Sequence, residues 1–233
     1  MLRICSIFFE HQPAKAFLND LNSHLINCYL HVREDAASVW QHYNAIEISE
    51  AKYYYIRERF NLMRTSIKKS AYFIYLNHYC FNGIFRTNKK GHFNTPFGAK
   101  KKVKKKLAKE EFLAISNCLQ LAEFTSSDFE DFLCNLSPSG ACIYLDPPYF
   151  TNEKRVFSEY GAKVFEASDL ARLHSVSMNL SKENKVIISY RDCEEFRHLF
   201  GDFLVNPISV TRNVGGFAGR RKHENELLAV LGA

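Results

Sequence analysis

The chain has 233 residues and a formal net charge of +6. Hydrophobic residues make up 46% of it and charged residues 24%, proportions that exclude a long fibre or a multidomain array. This length predicts one α/β core with an insertion, or two small domains. No run of eighteen apolar residues occurs, and the apolar start is too short for a signal peptide, so we predict a cytosolic protein that does not enter a membrane.

The metal-binding residue types show no organised spacing. Seven cysteines are scattered without a Cys-x-x-Cys pair, and the nine histidines show no ligand spacing. This distribution favours neither a disulfide framework nor a zinc module. We expect reduced, mostly buried thiols and no metal site.

Positive charge is concentrated in one segment. Residues 86–109 include ten lysines and arginines without an acidic residue, whereas the rest of the chain is net negative. Such a local field suits a polyanion contacted through one segment. A lysine run can equally be a solvated helix start or a loop. The aromatic and glycine-bearing stretch YLNHYCFNGIFRTNKKGHFNTPFG directly before the run favours the first interpretation.

Apolar periodicity and turn residues predict alternating strands and helices. In chain order we expect a strand at 15–21, a helix at 22–30, two or three helices between 36 and 79, a hairpin-like loop at 82–98, a helix at 110–121, a strand at 121–125, a helix from 127, a strand at 141–146, a helix at 168–180, a strand at 185–190 and a terminal antiparallel hairpin.

This alternation predicts a twisted, mainly parallel sheet with helices on both faces. Ligands bind such sheets at the carboxyl ends of the strands. Asp20 and Asp146 end predicted strands, and Asp128 follows a third strand closely. We therefore expect three acidic side chains at one sheet edge, as a polar rim for a nucleoside cofactor.

The segment Asp146-Pro147-Pro148-Tyr149 is the most informative stretch of the chain. Its prolines stiffen the backbone and lack amide hydrogens, so the corner presents acceptors. The Asp146 carboxylate and the Pro147 carbonyl can together accept both hydrogens of an exocyclic amino group, which helps to localise the nitrogen lone pair. Tyr149 offers a flat face for an extruded base. The alternative is a turn that merely ends a strand.

Three motifs occur in order along the chain: LNDLNSHLI, then FNGIFRTNKKGHFNTPFG, then the DPPY segment. With these motifs the chain resembles the Dam-type (D12 class) DNA adenine methyltransferases over nearly its whole length. The resemblance implies a Rossmann-like S-adenosylmethionine-dependent methyltransferase sheet with an inserted helical and hairpin target-recognition subdomain. It places the core at 1–35 and 110–233 and the insertion at 36–109. It implies methyl transfer from S-adenosylmethionine to N6 of a flipped adenine in double-stranded DNA, as in restriction-modification systems.

The resemblance also assigns the cofactor and catalytic residues. Asp20 aligns with the position that binds the cofactor ribose, and Asp128 with Phe129 aligns with the adenine side. The DPPY segment becomes the catalytic motif, with Asp146 also near the methionine end of the cofactor.

For DNA, the resemblance aligns Phe81 with an aromatic beside the flipped base, and Asn82, Arg86 and Pro96 with DNA-contacting positions. The alternatives are that Phe81 belongs to the core, that Asn82 and Arg86 cap the hairpin and that Pro96 shapes a turn. The lysine run, which includes Lys100 and Lys101, is expected to grip the DNA backbone with little base discrimination.

The sequence departs from the family pattern at two points. The glycine-rich strand and loop that open the family's sequences are missing, which leaves three alternatives: an upstream start, a segment supplied by another chain, or an inactive DNA-binding remnant. Methylation of RNA or protein is a further alternative. After Gly98, the chain has Ala99-Lys100 where GATC-reading members have Arg-Tyr, so GATC recognition is not implied.

Overall fold

The structure is a computed structural model that describes residues 6–98, 105–150, 165–205, 208–212 and 222–232. The described residues divide into two compact units, one up to Phe129 and the other from Glu130. The predicted core and insertion are a different partition of the chain, and that partition stays a prediction.

The first unit is mainly helical. Its helices are α1 (Ser6–His11), α2 (Ser23–Asn44), α3 (Glu50–Leu62), α4 (Ile67–Tyr79) and α5 (Lys109–Leu119). Its strands β1 (Ala16–Asn19) and β2 (Ala122–Thr125) pair in parallel. Helix α2 packs against α4 and α5, and Tyr43, Tyr53 and Tyr75 are fully buried in this core.

Helix α2 consists of two segments that meet at Asp35: the first runs a few residues past the predicted end near residue 30, and the second begins where the sequence predicts further helices, from residue 36. Its buried positions recur at intervals of three or four residues and include Leu25, Cys28, Val32, Ala36, Val39 and Tyr43. Asp35 interrupts the helical backbone with φ −149° and ψ 73°. Its carboxylate accepts the Ser38 amide at 2.9 Å, so Asp35 acts as an N-cap for the second half of the helix.

Residues 80–97 form the predicted hairpin, with antiparallel bridges between Cys80 and Phe97 and between Thr87 and Phe93. Its tip is the turn at 88–91, where the Asn88 side chain accepts two backbone amides. The Asn82-Gly83 pair forms a separate turn after α4, and both residues have left-handed φ values of 53° and 69°.

The second unit is built on a four-stranded sheet. Its elements after α6 (Phe129–Leu136), which begins at the boundary, are β3 (Cys142–Leu145), α7 (Ala167–Leu180), β4 (Lys185–Arg191), α8 (Glu194–Phe200), β5 (Ile208–Arg212) and β6 (Lys222–Leu231). The strand order is β3-β4-β6-β5. Strands β3 and β4 are parallel, whereas β6 is antiparallel to both β4 and β5.

The predicted mixed α/β class is confirmed. The described strands do not form the single, mainly parallel sheet that the sequence predicts. They form two hydrogen-bonded sheets, with two parallel and two antiparallel pairings. The antiparallel pairing of β5 with β6 confirms the predicted terminal hairpin. Strand β6 is also antiparallel to β4, on its other side. Helix α8 was not predicted; it buries Phe196 and Phe200.

Two further expectations can be compared with the described part of the chain. Of its six cysteines, all free thiols, Cys28 and Cys80 are buried but Cys134 and Cys142 are exposed, so the expectation of mostly buried thiols is wrong. In the same residues, no helix combines the length and apolar character needed to cross a bilayer.

The buried side chain of Asn184 links two segments of the second unit by hydrogen bonds. Its amide nitrogen donates to the carbonyls of Pro138 and Leu180 at 2.8 and 2.9 Å, and its oxygen accepts the Ala141 amide at 3.0 Å. These bonds join the end of α7 to the residues that enter β3. They therefore fix where β3 begins.

We expect Asn184→Ala to lower the free energy of unfolding by about 2 kcal/mol, because the Pro138 carbonyl and the Ala141 amide, both partly buried, lose their side-chain partner. Urea unfolding followed by circular dichroism measures this. The control Asn179→Ala, at an exposed position of α7, should change the free energy by less than about 0.5 kcal/mol. Equal effects of the two variants would contradict the assigned role.

Candidate active site

The carboxyl ends of β1 and β2 meet at one edge of the small sheet. The Asn19 side chain donates to the Ser127 carbonyl at 3.0 Å and accepts the Ser127 amide at 3.1 Å. Asp20 follows β1 directly, and Asp128 with Phe129 follows β2 after this clamp. The first unit thus holds three of the four residues predicted to bind the cofactor, Asp20, Asp128 and Phe129, at the ends of two paired strands.

Asp20 links β1 to α2. Its carboxylate accepts the Asn22 amide at 2.7 Å, and the Asn22 side chain in turn caps α2. Burial raises the pKa of the Asp20 carboxyl above its ordinary value, while the hydrogen bond from Asn22 opposes the rise. Hydroxyl donors at this carboxylate would stabilise its charged form.

The DPPY segment lies in the second unit, directly after β3. Asp146 and Pro148 are exposed, and Pro147 and Tyr149 are half-buried. The Asp146 carboxylate therefore stays accessible at the end of its strand. Since Asp20 and Asp128 belong to the other unit, the predicted common rim of three carboxylates stays a prediction.

Side chains from β3, β4 and β6 support this corner. Tyr144 donates to Ser189 at 3.0 Å, and Ser189 donates to Asp146 Oδ1 at 3.1 Å. Tyr149 donates to Glu226 at 3.3 Å and meets the Tyr190 ring edge-on at 5.2 Å between centroids.

The residue after the corner is also held, because the Phe150 amide donates to the Tyr190 hydroxyl at 2.7 Å. Sequence reasoning missed Ser189, Tyr190 and Glu226. The signal available for them was weak: they are polar groups that end the apolar run of β4 or directly precede that of β6.

Three of the residues predicted to contact DNA, Phe81, Asn82 and Pro96, lie at the base of the hairpin. Phe81 is 37% exposed, which contradicts the alternative that it belongs to the core. Its amide donates to the Pro96 carbonyl at 2.9 Å, so these two residues adjoin. Asn82 and Pro96 are exposed.

Arg86 lies on the first arm of the hairpin and is half-buried. Its Nε donates to Asn94 Oδ1 at 2.9 Å, and its carbonyl accepts the Asn94 amide at 2.9 Å. The two residues are therefore paired through both backbone and side chain. This pairing fixes the direction of the guanidinium relative to the hairpin arms.

Helix α3 holds the second arm of the hairpin. Asn61 both donates to the Phe93 carbonyl and accepts the Phe93 amide, at 3.1 and 2.8 Å. The Tyr53 hydroxyl donates to the Thr95 carbonyl at 2.9 Å, and Arg57 donates to the same carbonyl at 3.3 Å. All of these bonds go to the hairpin backbone, so they fix its path whatever its exposed side chains are.

Gly98, which precedes the lysine run, and Lys105, within it, are both hydrogen-bonded to the last turn of α4. The Gly98 amide donates to the Tyr79 carbonyl at 2.9 Å, and a Cβ at Gly98 would lie 2.9 Å from the Cys80 oxygen. The His78 ring donates to the Lys105 carbonyl at 3.0 Å. Lys100 and Lys101, which the sequence predicts at the DNA backbone, lie outside the described residues.

Comparison with known proteins decides the family. A sequence model of the D12 class of N6 adenine-specific DNA methyltransferases matches residues 5–214. The chain belongs to this family. Its methyltransferase relatives include the Retron Ec67 DNA adenine methylase of Escherichia coli, which is 32% identical over 98% of this chain and 80% of that protein.

Two further relatives cover similar lengths. The type II methyltransferase M1.LlaDCHI of Lactococcus lactis subsp. cremoris is 30% identical over 96% of this chain and 81% of its own. The DNA adenine methylase of Serratia marcescens is 30% identical, over 97% and 85%. This chain is therefore a DNA adenine methyltransferase by family, an enzyme whose substrate is DNA.

Within the described ranges of this methyltransferase, no three His, Cys, Asp or Glu side chains gather as metal ligands would. The predicted site residues that the structure describes thus form three groups: those at the β1–β2 edge, those at the DPPY corner and those on the hairpin. The roles of the individual residues in these groups stay predictions.

We expect Asn61→Ala to loosen the hairpin, because the Phe93 amide loses its acceptor. Hydrogen exchange of that amide, measured by NMR, should accelerate at least about tenfold, which corresponds to roughly 1.4 kcal/mol. Asn117→Ala, at an exposed position of α5, serves as the control and should leave the rate unchanged. Unchanged exchange in Asn61→Ala would show that α3 does not hold the hairpin.

Proposed function

We propose that this enzyme transfers a methyl group from S-adenosylmethionine to N6 of an adenine flipped out of double-stranded DNA, and that it acts in the cytoplasm. The observation that carries the proposal is the accessible Asp146 carboxylate at the end of β3, held by Ser189 and followed by two prolines. A stiff corner with acceptors suits an amino group as substrate.

The residues at the β1–β2 edge suit the cofactor by their chemistry. The half-buried Asp20 carboxylate can accept the ribose hydroxyls, and Asp128 can accept the amino group of the cofactor's adenine, against which the Phe129 ring can pack. When bound, S-adenosylmethionine supplies a methyl group activated by a positively charged sulfur. We propose that the two sheets belong to the Rossmann-like core predicted for 1–35 and 110–233.

The DPPY corner makes the target nitrogen more nucleophilic. The lone pair of an adenine amino group is delocalised into the ring, so the nitrogen is a weak nucleophile. The Asp146 carboxylate and the Pro147 carbonyl accept its two hydrogens and draw the lone pair out of conjugation. Tyr149, steadied by Glu226 and the Tyr190 ring, stacks on the flipped base.

The insertion predicted at 36–109 would read the target. Phe81 would fill the space beside the flipped adenine, with Asn82, Arg86 and Pro96 contacting the DNA around it. The lysine run, including Lys100 and Lys101, would contribute affinity through phosphates. This assignment is supported by the exposure of Phe81, Asn82 and Pro96 and by the fixed path of the hairpin.

We expect Asp146→Ala to abolish methyl transfer, with turnover lower by at least about a thousandfold, while DNA affinity stays within about twofold. Transfer of labelled methyl to duplex DNA and a DNA-binding titration measure the two quantities. Asp202→Ala, at an exposed position of the same unit, should behave as the wild type.

Retention of normal turnover in Asp146→Ala would overturn the catalytic assignment. RNA and protein substrates serve as parallel arms, and labelling of either in preference to duplex DNA would overturn the proposed substrate. DNA binding without any methyl transfer by the wild type would identify an inactive remnant.

We expect Asp20→Ala to weaken binding of S-adenosylmethionine at least about tenfold, because a hydrogen bond to a charged acceptor contributes roughly 1.5 to 3 kcal/mol. Isothermal titration calorimetry gives the dissociation constant. The control Glu34→Gln removes an exposed carboxylate from α2 and should leave it unchanged. Equal affinity of Asp20→Ala and the wild type would remove Asp20 from the cofactor site.

A further inference from the structure

Ser189 on β4 is the middle member of a hydrogen-bonded chain that runs from Tyr144 to Asp146. We propose that Ser189 is a positioning residue for methyl transfer, which orients the Asp146 carboxylate toward the target amino group. The inference rests on the proposed function, because it assigns a role to a residue that touches the catalytic carboxylate and not the substrate.

Strand register brings the three side chains together. Strands β3 and β4 are parallel, with Tyr144 opposite Ile187 and Leu145 opposite Ile188. The next position along each strand is Asp146 and Ser189, respectively. Tyr144 and Asp146 are two residues apart and therefore lie on the same face of β3.

The chain has a defined direction. A carboxylate accepts hydrogen bonds, so the single hydroxyl hydrogen of Ser189 goes to Asp146 Oδ1, at 3.1 Å. The Ser189 oxygen is then the acceptor for the Tyr144 hydroxyl, at 3.0 Å. Burial raises the pKa of Tyr144, which keeps the phenol protonated as a donor.

This arrangement matters because the last torsion of an aspartate side chain is broad and weakly restrained. Asp146 is exposed, so packing alone does not select one orientation. A hydrogen-bond donor on a buried strand can select one orientation. Ser189 is such a donor: it is 5% exposed, and its backbone is fixed between β3 and β6. Its hydrogen bond thereby restrains the exposed Asp146 carboxylate relative to the sheet.

The test compares Ser189→Ala, Tyr144→Phe and the double variant by the single-turnover rate of methyl transfer and by DNA affinity. We expect Ser189→Ala to slow transfer about tenfold, since small misplacements of a catalytic group have effects of this size or larger, with DNA affinity within about twofold. Tyr144→Phe should slow transfer about threefold, and the double variant should match Ser189→Ala, because Tyr144 acts through Ser189.

A matched control exists in the same unit. Ser177 on α7 is fully buried, and its hydroxyl has no hydrogen-bond partner among the described residues. Ser177→Ala should keep the wild-type transfer rate. If Ser189→Ala unfolds, Tyr144→Phe alone decides the matter: a wild-type rate in this variant, with the phenol contact removed, overturns the hydrogen-bonded chain.

The results also separate this inference from the proposed function. A wild-type transfer rate in Ser189→Ala, or fully multiplicative effects in the double variant, overturns the positioning role. If Asp146→Ala is inactive in that case, the proposed function stands and the inference alone fails. If Asp146→Ala transfers methyl normally, both fail, because the acceptor that Ser189 orients is not used.

Discussion

The parallel pairing of β3 with β4 is the constraint on which the proposed catalytic corner depends. Its register sets Asp146 beside Ser189, and a slip of one residue would bring Tyr190 or Ile188 to that position instead. The antiparallel pairing of β4 with β6 then sets Arg191 opposite Glu226, which reaches Tyr149. The geometry of the proposed catalytic corner is therefore set by the pairing of the strands.

In the first unit, the hairpin is held through its backbone and not through its exposed side chains. Tyr53, Arg57 and Asn61 are spaced four residues apart on α3 and bind backbone groups of residues 93–95. Backbone partners do not depend on the identity of the hairpin residues. The side chains that would read DNA can thus differ while the shape that presents them is kept.

Much of the fold could be predicted from local patterns, because KVIISY and CIYL are apolar runs that end at polar residues or prolines. The exact end of the first segment of α2 could not, since the helix continues past residue 30 until its backbone breaks at Asp35. The DPPY corner was found by its composition. Its supports Ser189 and Glu226 were not, because they lie 43 and 77 residues along the chain from the groups they bind.

Gly98 and Lys105, one before the lysine run and one within it, are attached to neighbouring residues of α4, which has a consequence for how such an enzyme can change. A segment that leaves and returns at His78 and Tyr79 closes a loop, and the entropy of closing a loop grows only slowly with its length. Lysines can accordingly be gained or lost there at little cost to folding. Under the proposed function, in which these lysines bind phosphates, retention on DNA and its sensitivity to salt can evolve separately from the choice of target sequence.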